Sequence, residues 1–179
     1  MKDISYRVAL GGIVSALCLI CMFLAGIMPA LYIILPMIAG VLLMIIVTEV
    51  SVGWAALTYI AVGMLSMIIC ADKEASLLFI IVFGHYPILR YYLQKIKQRQ
   101  LRLFLKLLLF NITLIVYYWI TVSILGLQEA DDSLGSLGKA GLFGAWAVCN
   151  FILVCHDFNL GYIHAYYVKK MRPYFRRRR

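Results

Sequence analysis

The sequence predicts an all-α membrane protein, a six-helix transmembrane bundle with both termini cytoplasmic. Three observations carry that expectation. The 179 residues are 64% hydrophobic and only 14% charged, whereas a soluble domain is about half apolar and about a quarter charged. The apolar residues come in long runs, and one of them, Val8 to Thr48, holds no charge at all. The net charge of +9 is gathered in blocks beside these runs. The most basic internal block, Arg90 to Lys106, carries Arg90, Lys95, Lys97, Arg99, Arg102 and Lys106 and no acid. Such a stretch between apolar runs belongs in water on the cytoplasmic side. A soluble core of this length could not hide so much apolar surface. The expected organisation is one integral membrane domain over 1–171 and a polybasic cytoplasmic tail over 172–179. Charge confined to blocks is not the spread that a nucleic-acid binder shows, so the partner it implies is the lipid bilayer.

Each span follows from its punctuation. Met1–Arg7 is a short basic start, and no small-residue cleavage site precedes a polar region, so a removed signal peptide is not expected. Forty-one uncharged residues as one helix would reach about 60 Å, twice the hydrocarbon thickness. The run must therefore fold back, and Gly26-Ile27-Met28-Pro29 is where it can. Span 1 is then 8–27 and span 2 is 30–48, with a kink expected at Pro36. The polar turn Thr48–Ser51 leads into span 3, 52–70. In the next turn Asp72 suits an N-cap, and Glu74 suits the first turn of span 4, 75–92. Span 5 is 103–125. A flexible acidic connection, Gly126–Ala140, leads to span 6, 141–161, whose helix is expected to continue toward Met171.

Six spans give a consistent charge asymmetry. All the Lys and Arg except Lys73 and Lys139 fall on one side, and that side should be the cytoplasm of a plasma (inner) membrane. The opposite side holds Asp72, Glu74, Glu129, Asp131 and Asp132.

Several residues stand out from the apolar background. Ala9, Gly12 and Ala16 place small side chains on one face of span 1, a face that lets another helix approach closely. They are candidates for packing inside the bundle or for docking a partner helix. His85 sits in Gly84-His85-Tyr86-Pro87, where Pro87 frees a backbone acceptor. It is a candidate polar-core residue or gate. Along span 6, Trp146, Asn150, Asp157, Gly161 and His164 share a face. An unpaired Asp157 would cost about 2.5–3.5 kcal/mol on insertion scales, so a cationic partner is expected, with Arg90 or Lys106 nearest in depth. Asn111 and Tyr118 share a face of span 5, and Asn111 or Asn150 can bond across helices. The aromatics Tyr32, Tyr117, Tyr118, Trp119, Phe143 and Trp146 crowd the outer half. They read as an interfacial belt or as the walls of a pocket for a flat organic molecule. Tyr32, Asn111, Tyr118, Trp119, Trp146 and Asn150 are accordingly the substrate-binding candidates.

No metal site, cofactor or catalytic machinery is expected. Cys18 and Cys21 form a CxxC, but within a span and without a second pair at zinc spacing. The five cysteines read as small hydrophobes. There is no G-x-S-x-G, no H-E-x-x-H and no Walker A, so the chain itself is neither ATPase nor evident enzyme. His156 and Asp157 point about 100° apart on a helix and form no dyad by themselves.

Length, six spans, both ends inside and the small residues Ala9, Gly12 and Ala16 together resemble the substrate-binding S components of energy-coupling factor vitamin transporters. Those carry an alanine-rich motif in span 1, where Gly12 here replaces one alanine. The resemblance implies capture of a vitamin or other micronutrient from outside, in complex with a transmembrane coupling subunit and two ATPases. It carries over no substrate-contacting residue. The alternative is a non-transporting assembly or regulatory protein whose basic cytoplasmic face binds anionic lipid or a partner.

Overall fold

The apolar runs are interrupted by Gly, Pro and short polar turns, and these interruptions set the helix ends. The computed structural model describes residues 4–125 and 138–173, and every element in them is helical. Helix α1 is Ile4–Ile27, and a 3-10 turn, Pro29–Leu31, leads to α2, Ile34–Glu49. Helix α3 is Val52–Ile69, and α4, Lys73–Leu77, runs on into a π-helical stretch, Leu78–Phe83. Then come α5, Tyr86–Leu93, α6, Arg99–Leu125, and α7, Gly138–Tyr166, which ends in a π-helical turn, Tyr167–Met171. Five of these segments are long and apolar enough to cross a membrane, namely Ile4–Ile27, Val52–Ile69, Lys73–Leu93, Arg99–Ser123 and Phe143–Lys170. Helix α2 is the shorter apolar helix, 16 residues, or about 24 Å. The acidic residues 126–137 and the tail beyond 173 lie outside the described residues.

The turns behave as their chemistry dictates. Ser51 caps α3 by accepting from the Trp54 amide at 3.4 Å. Asp72 caps α4, accepting from the amides of Glu74 at 2.9 Å and Ala75 at 3.4 Å. Lys73 turns back and donates to the carbonyls of Met67 and Cys70, at 2.7 and 2.9 Å. A cation there satisfies the open carbonyls at the C-terminus of α3.

Helix α2 is the centre of the packing. Its Leu35, Ala39, Leu43 and Ile46 join a core with Val14, Cys18 and Met22 of α1 and Ala55 and Val62 of α3. Its Met44 joins a second core with Phe83, Tyr86, Phe110 and Leu160. Two buried thiols donate to carbonyls of neighbouring elements, Cys18 to Ala39 at 3.4 Å and Cys70 to Met22 at 3.0 Å. All five cysteines are free. Helices α6 and α7 differ from the rest. Only 6% and 17% of their apolar windows are buried, against 56% for Lys73–Leu93. They lie against the body rather than within it, so the polar contacts that fasten them matter more.

Four expectations need correction. Pro36 makes no mid-span kink: α2 starts four residues later than expected, at Ile34, so Pro36 falls in its first turn, where a helical N–H has no intrahelical partner to lose. Span 4 is not one helix broken at Pro87. The irregularity begins earlier, with the π stretch and a bend at Gly84 and His85, and Pro87 sits harmlessly in the first turn of α5. The block Arg90 to Lys106 is not wholly in water, because the two side chains at its ends turn into the bundle. Finally, α6 and α7 begin at Arg99 and Gly138, some three to four residues before their expected starts.

Candidate functional site

The polar stripe of α7 faces the rest of the molecule along its length. At its centre, Asp157 receives three bonds. Arg90 Nε of α5 donates to Oδ1 at 2.8 Å, Tyr86 Oη donates to the same oxygen at 2.6 Å, and Lys106 Nζ of α6 donates to Oδ2 at 2.5 Å. One carboxylate thus holds three elements together, and the cationic partner that its position demanded is supplied twice. The two cationic side chains are 10% and 11% exposed. Charges this sheltered persist only when paired and hydrogen-bonded. Gly161, one turn on, leaves room for the guanidinium: a Cβ there would stand 2.9 Å from Arg90 Nη2.

Either side of this knot the stripe makes neutral contacts. Toward the N-terminus of α7, Trp146 Nε1 donates to Asn111 Oδ1 of α6 at 2.8 Å, and the amides of Asn111 and Asn150 meet at 3.4 Å. Three of the substrate-binding candidates are therefore one interhelical cluster, and their polar atoms are directed at each other. Toward the C-terminus, His164 Nδ1 lies 3.3 Å from Thr48 Oγ1 of α2, and Arg172 forms an ion pair with the buried Glu49 at 3.2 Å.

The remaining candidates are dispersed. Trp119 is 64% exposed and Tyr118 40%, on the outer surface of α6, away from the Trp146 cluster's polar contacts. Tyr32 stands apart, beside the N-terminus of α2. His85 lies in the bend after the π stretch, five residues beyond the Ile80 carbonyl. Tyr59 Oη donates to the same carbonyl at 2.7 Å, which offsets the backbone bonds that a π turn displaces. Ala9, Gly12 and Ala16 are all exposed, while Gly11, Val14, Cys18 and Met22 make the buried face of α1. Among the described residues no three His, Cys, Asp or Glu side chains converge as a metal site requires.

Two cavities among the described residues bear on the site. One, of about 740 Å³, opens where the ends of α2 and α5 meet the start of α3. Arg90, Lys95, His164, Thr48 and Ser51 are among its lining residues, and no acid is. The other, of about 460 Å³, lies between the start of α2 and the middle of α7 and is lined by Tyr32, Met37, Cys155, His156 and Asn159 among others. Sequence reasoning assigns His156 no role, because it points about 100° away from Asp157 on the helix. The one available signal was an imidazole inside an apolar run. No family model, no curated protein and no solved structure matches this chain.

Proposed function

We propose that this protein is a membrane-embedded substrate-binding subunit for uptake of a small organic micronutrient, working with a transmembrane coupling subunit and ATPases. The observation that carries the reading is the orientation of α1. Its small-residue face, Ala9, Gly12 and Ala16, turns away from the bundle, and a Cβ on Gly12 would meet nothing within 4 Å. Intramolecular packing therefore does not account for the stripe. A row of small side chains on an outer face gives up dispersion contact with lipid and is suited to a closely approaching helix. In this reading the six apolar segments all cross the plasma membrane, with both termini cytoplasmic.

Replacing Ala9, Gly12 and Ala16 together by Leu tests it. The positions are outward, so the chain should still insert and keep its thermal stability. Co-purification of a coupling subunit and ATPases from native membranes should fall at least tenfold. Undiminished recovery, or no such partners with the unaltered chain, would reject the reading.

A second reading has one specific observation behind it. The 740 Å³ cavity gathers Arg90, Lys95 and His164 without an acid among its lining residues, and one carboxylate, Asp157, is shared by two cations. A surplus of positive charge at this end suits an anionic lipid headgroup and an assembly or regulatory role. Liposome flotation with and without anionic lipid separates that role from solute uptake.

A further inference from the structure

The imidazole of His156 is 1% exposed, and neither Nδ1 nor Nε2 has a hydrogen-bond partner. Its ring is held by aromatic contacts instead. Phe83 meets it edge-on at 5.1 Å and 80°, and the Tyr86 ring lies 5.9 Å away. The Tyr86 hydroxyl is committed to Asp157 and leaves the imidazole unserved. A buried polar atom left unpaired forfeits its hydration without compensation, and this ring leaves two. A phenyl ring would fill the same space without that penalty. The same imidazole lines the 460 Å³ cavity between α2 and α7, a volume in the range of small-molecule sites, about 300–1,000 Å³.

We infer that this cavity binds a neutral, mostly apolar small molecule whose polar head, a hydroxyl or an amide, hydrogen-bonds to His156. The chemistry of the walls sets the class. Ala30, Ile33, Ile34, Met37, Phe151 and Ile152 supply apolar surface, and no charged side chain lines the cavity among the described residues. A charged solute would find no counter-charge and would lose its hydration. A neutral imidazole offers one donor and one acceptor, and a hydroxyl or amide head can use either. The position sets the route. Thr48 stands beside His164, so His156, eight residues earlier in α7, lies about 12 Å further into the bundle. Ile34 and Phe151, both on the cavity wall, are 45% and 68% exposed on the outer apolar surface of the bundle. The cavity thus borders the outer apolar surface between α2 and α7, a position from which its ligand would reach it out of the lipid. The inference narrows the solute class of the uptake reading and rests on it for biological purpose, but binding by the chain alone does not require any partner.

Photolabelling of the full chain in lipid nanodiscs tests it. The probe is an octanol bearing a diazirine, compared with the corresponding diazirine-bearing octane. The alcohol should label peptides containing 30–37 and 151–159 at least fivefold more than the alkane does. His156→Phe should remove that preference while leaving alkane labelling unchanged, and His156→Gln, which keeps a donor and an acceptor, should restore part of it. In the absence of probe, the Phe variant should melt no lower than the parent. Equal labelling by alcohol and alkane in the parent would overturn the inference, as would an alcohol preference that survives in the Phe variant. A Phe variant that melts well below the parent would show that the imidazole is a structural group, which also overturns it. None of these outcomes depends on whether a coupling subunit co-purifies.

Discussion

A Cβ placed on Gly40 would stand 2.7 Å from the carbonyl oxygen of Phe83 and 3.2 Å from its carbon. Backbone cannot step aside as a flexible side chain can, so α2 lies against the π stretch only because position 40 has no side chain. Gly40→Ala should therefore destabilise the protein by about 1–3 kcal/mol through overpacking, read as a lower melting temperature in detergent. Gly53→Ala, where nothing lies within 4 Å, should stay within about 0.5 kcal/mol of the parent, as surface changes usually do. The same logic at a charged site gives a larger effect. Asp157→Asn keeps the shape of the side chain but leaves Arg90 and Lys106 facing each other without a counter-charge. Removing one partner of a sheltered ion pair costs about 3–5 kcal/mol. The same thermal melt checks it, and a loss below about 1 kcal/mol would mean that water already reaches and screens the knot.

Helix α7 is an element fastened by polar groups more than by apolar burial. Its contacts run from Trp146 and Asn150 on α6, through Asp157 on α5 and α6, to His164 on α2. This stripe was legible in the sequence because a helix repeats every 3.6 residues, so spacings of three, four and seven put polar residues on one side. The need for a cation opposite Asp157 was legible as well, because an unpaired carboxylate in an apolar run is too costly to leave alone. Other features were hidden for stated reasons. The π stretch Leu78–Phe83 has no composition of its own: its surroundings are largely distant in sequence, with Tyr59 on the Ile80 carbonyl, Gly40 against the Phe83 carbonyl and Gly84 against the Phe79 carbonyl. The orphan state of His156 is a property of what surrounds it, Phe83, Tyr86 and a cavity, and none of these is its neighbour in sequence. Pro36 misled because a proline's effect depends on its distance from the helix start, and that start was misplaced by four residues.

At the scale of the whole molecule, the connections sort to two ends. Glu49 reaches Arg172, Thr48 reaches His164, and one cavity wall combines Val50 and Ser51 with Tyr92 and Lys95. The α2–α3 turn, the α5–α6 connection and the end of α7 therefore share one end. At the other, a Cβ on Gly26 would lie 3.3 Å from the amides of Ala71 and Asp72, which brings the α1–α2 and α3–α4 connections together. The end that holds Lys95 and Arg172 is the basic one, and under the proposed reading it faces the cytoplasm. Single cysteines in an otherwise cysteine-free chain make this measurable. Gln98→Cys lies in the α5–α6 connection and Ala71→Cys in the α3–α4 turn, and both positions are exposed. A membrane-impermeant maleimide applied to intact cells should label the cysteine at 71, and label the one at 98 only after the membrane is opened. Labelling of both in intact cells would place the two connections on one side, which an up-and-down bundle joined in this order cannot do. The reverse pattern would turn the whole molecule over, and would put the basic end where the positive-inside bias says it should not be.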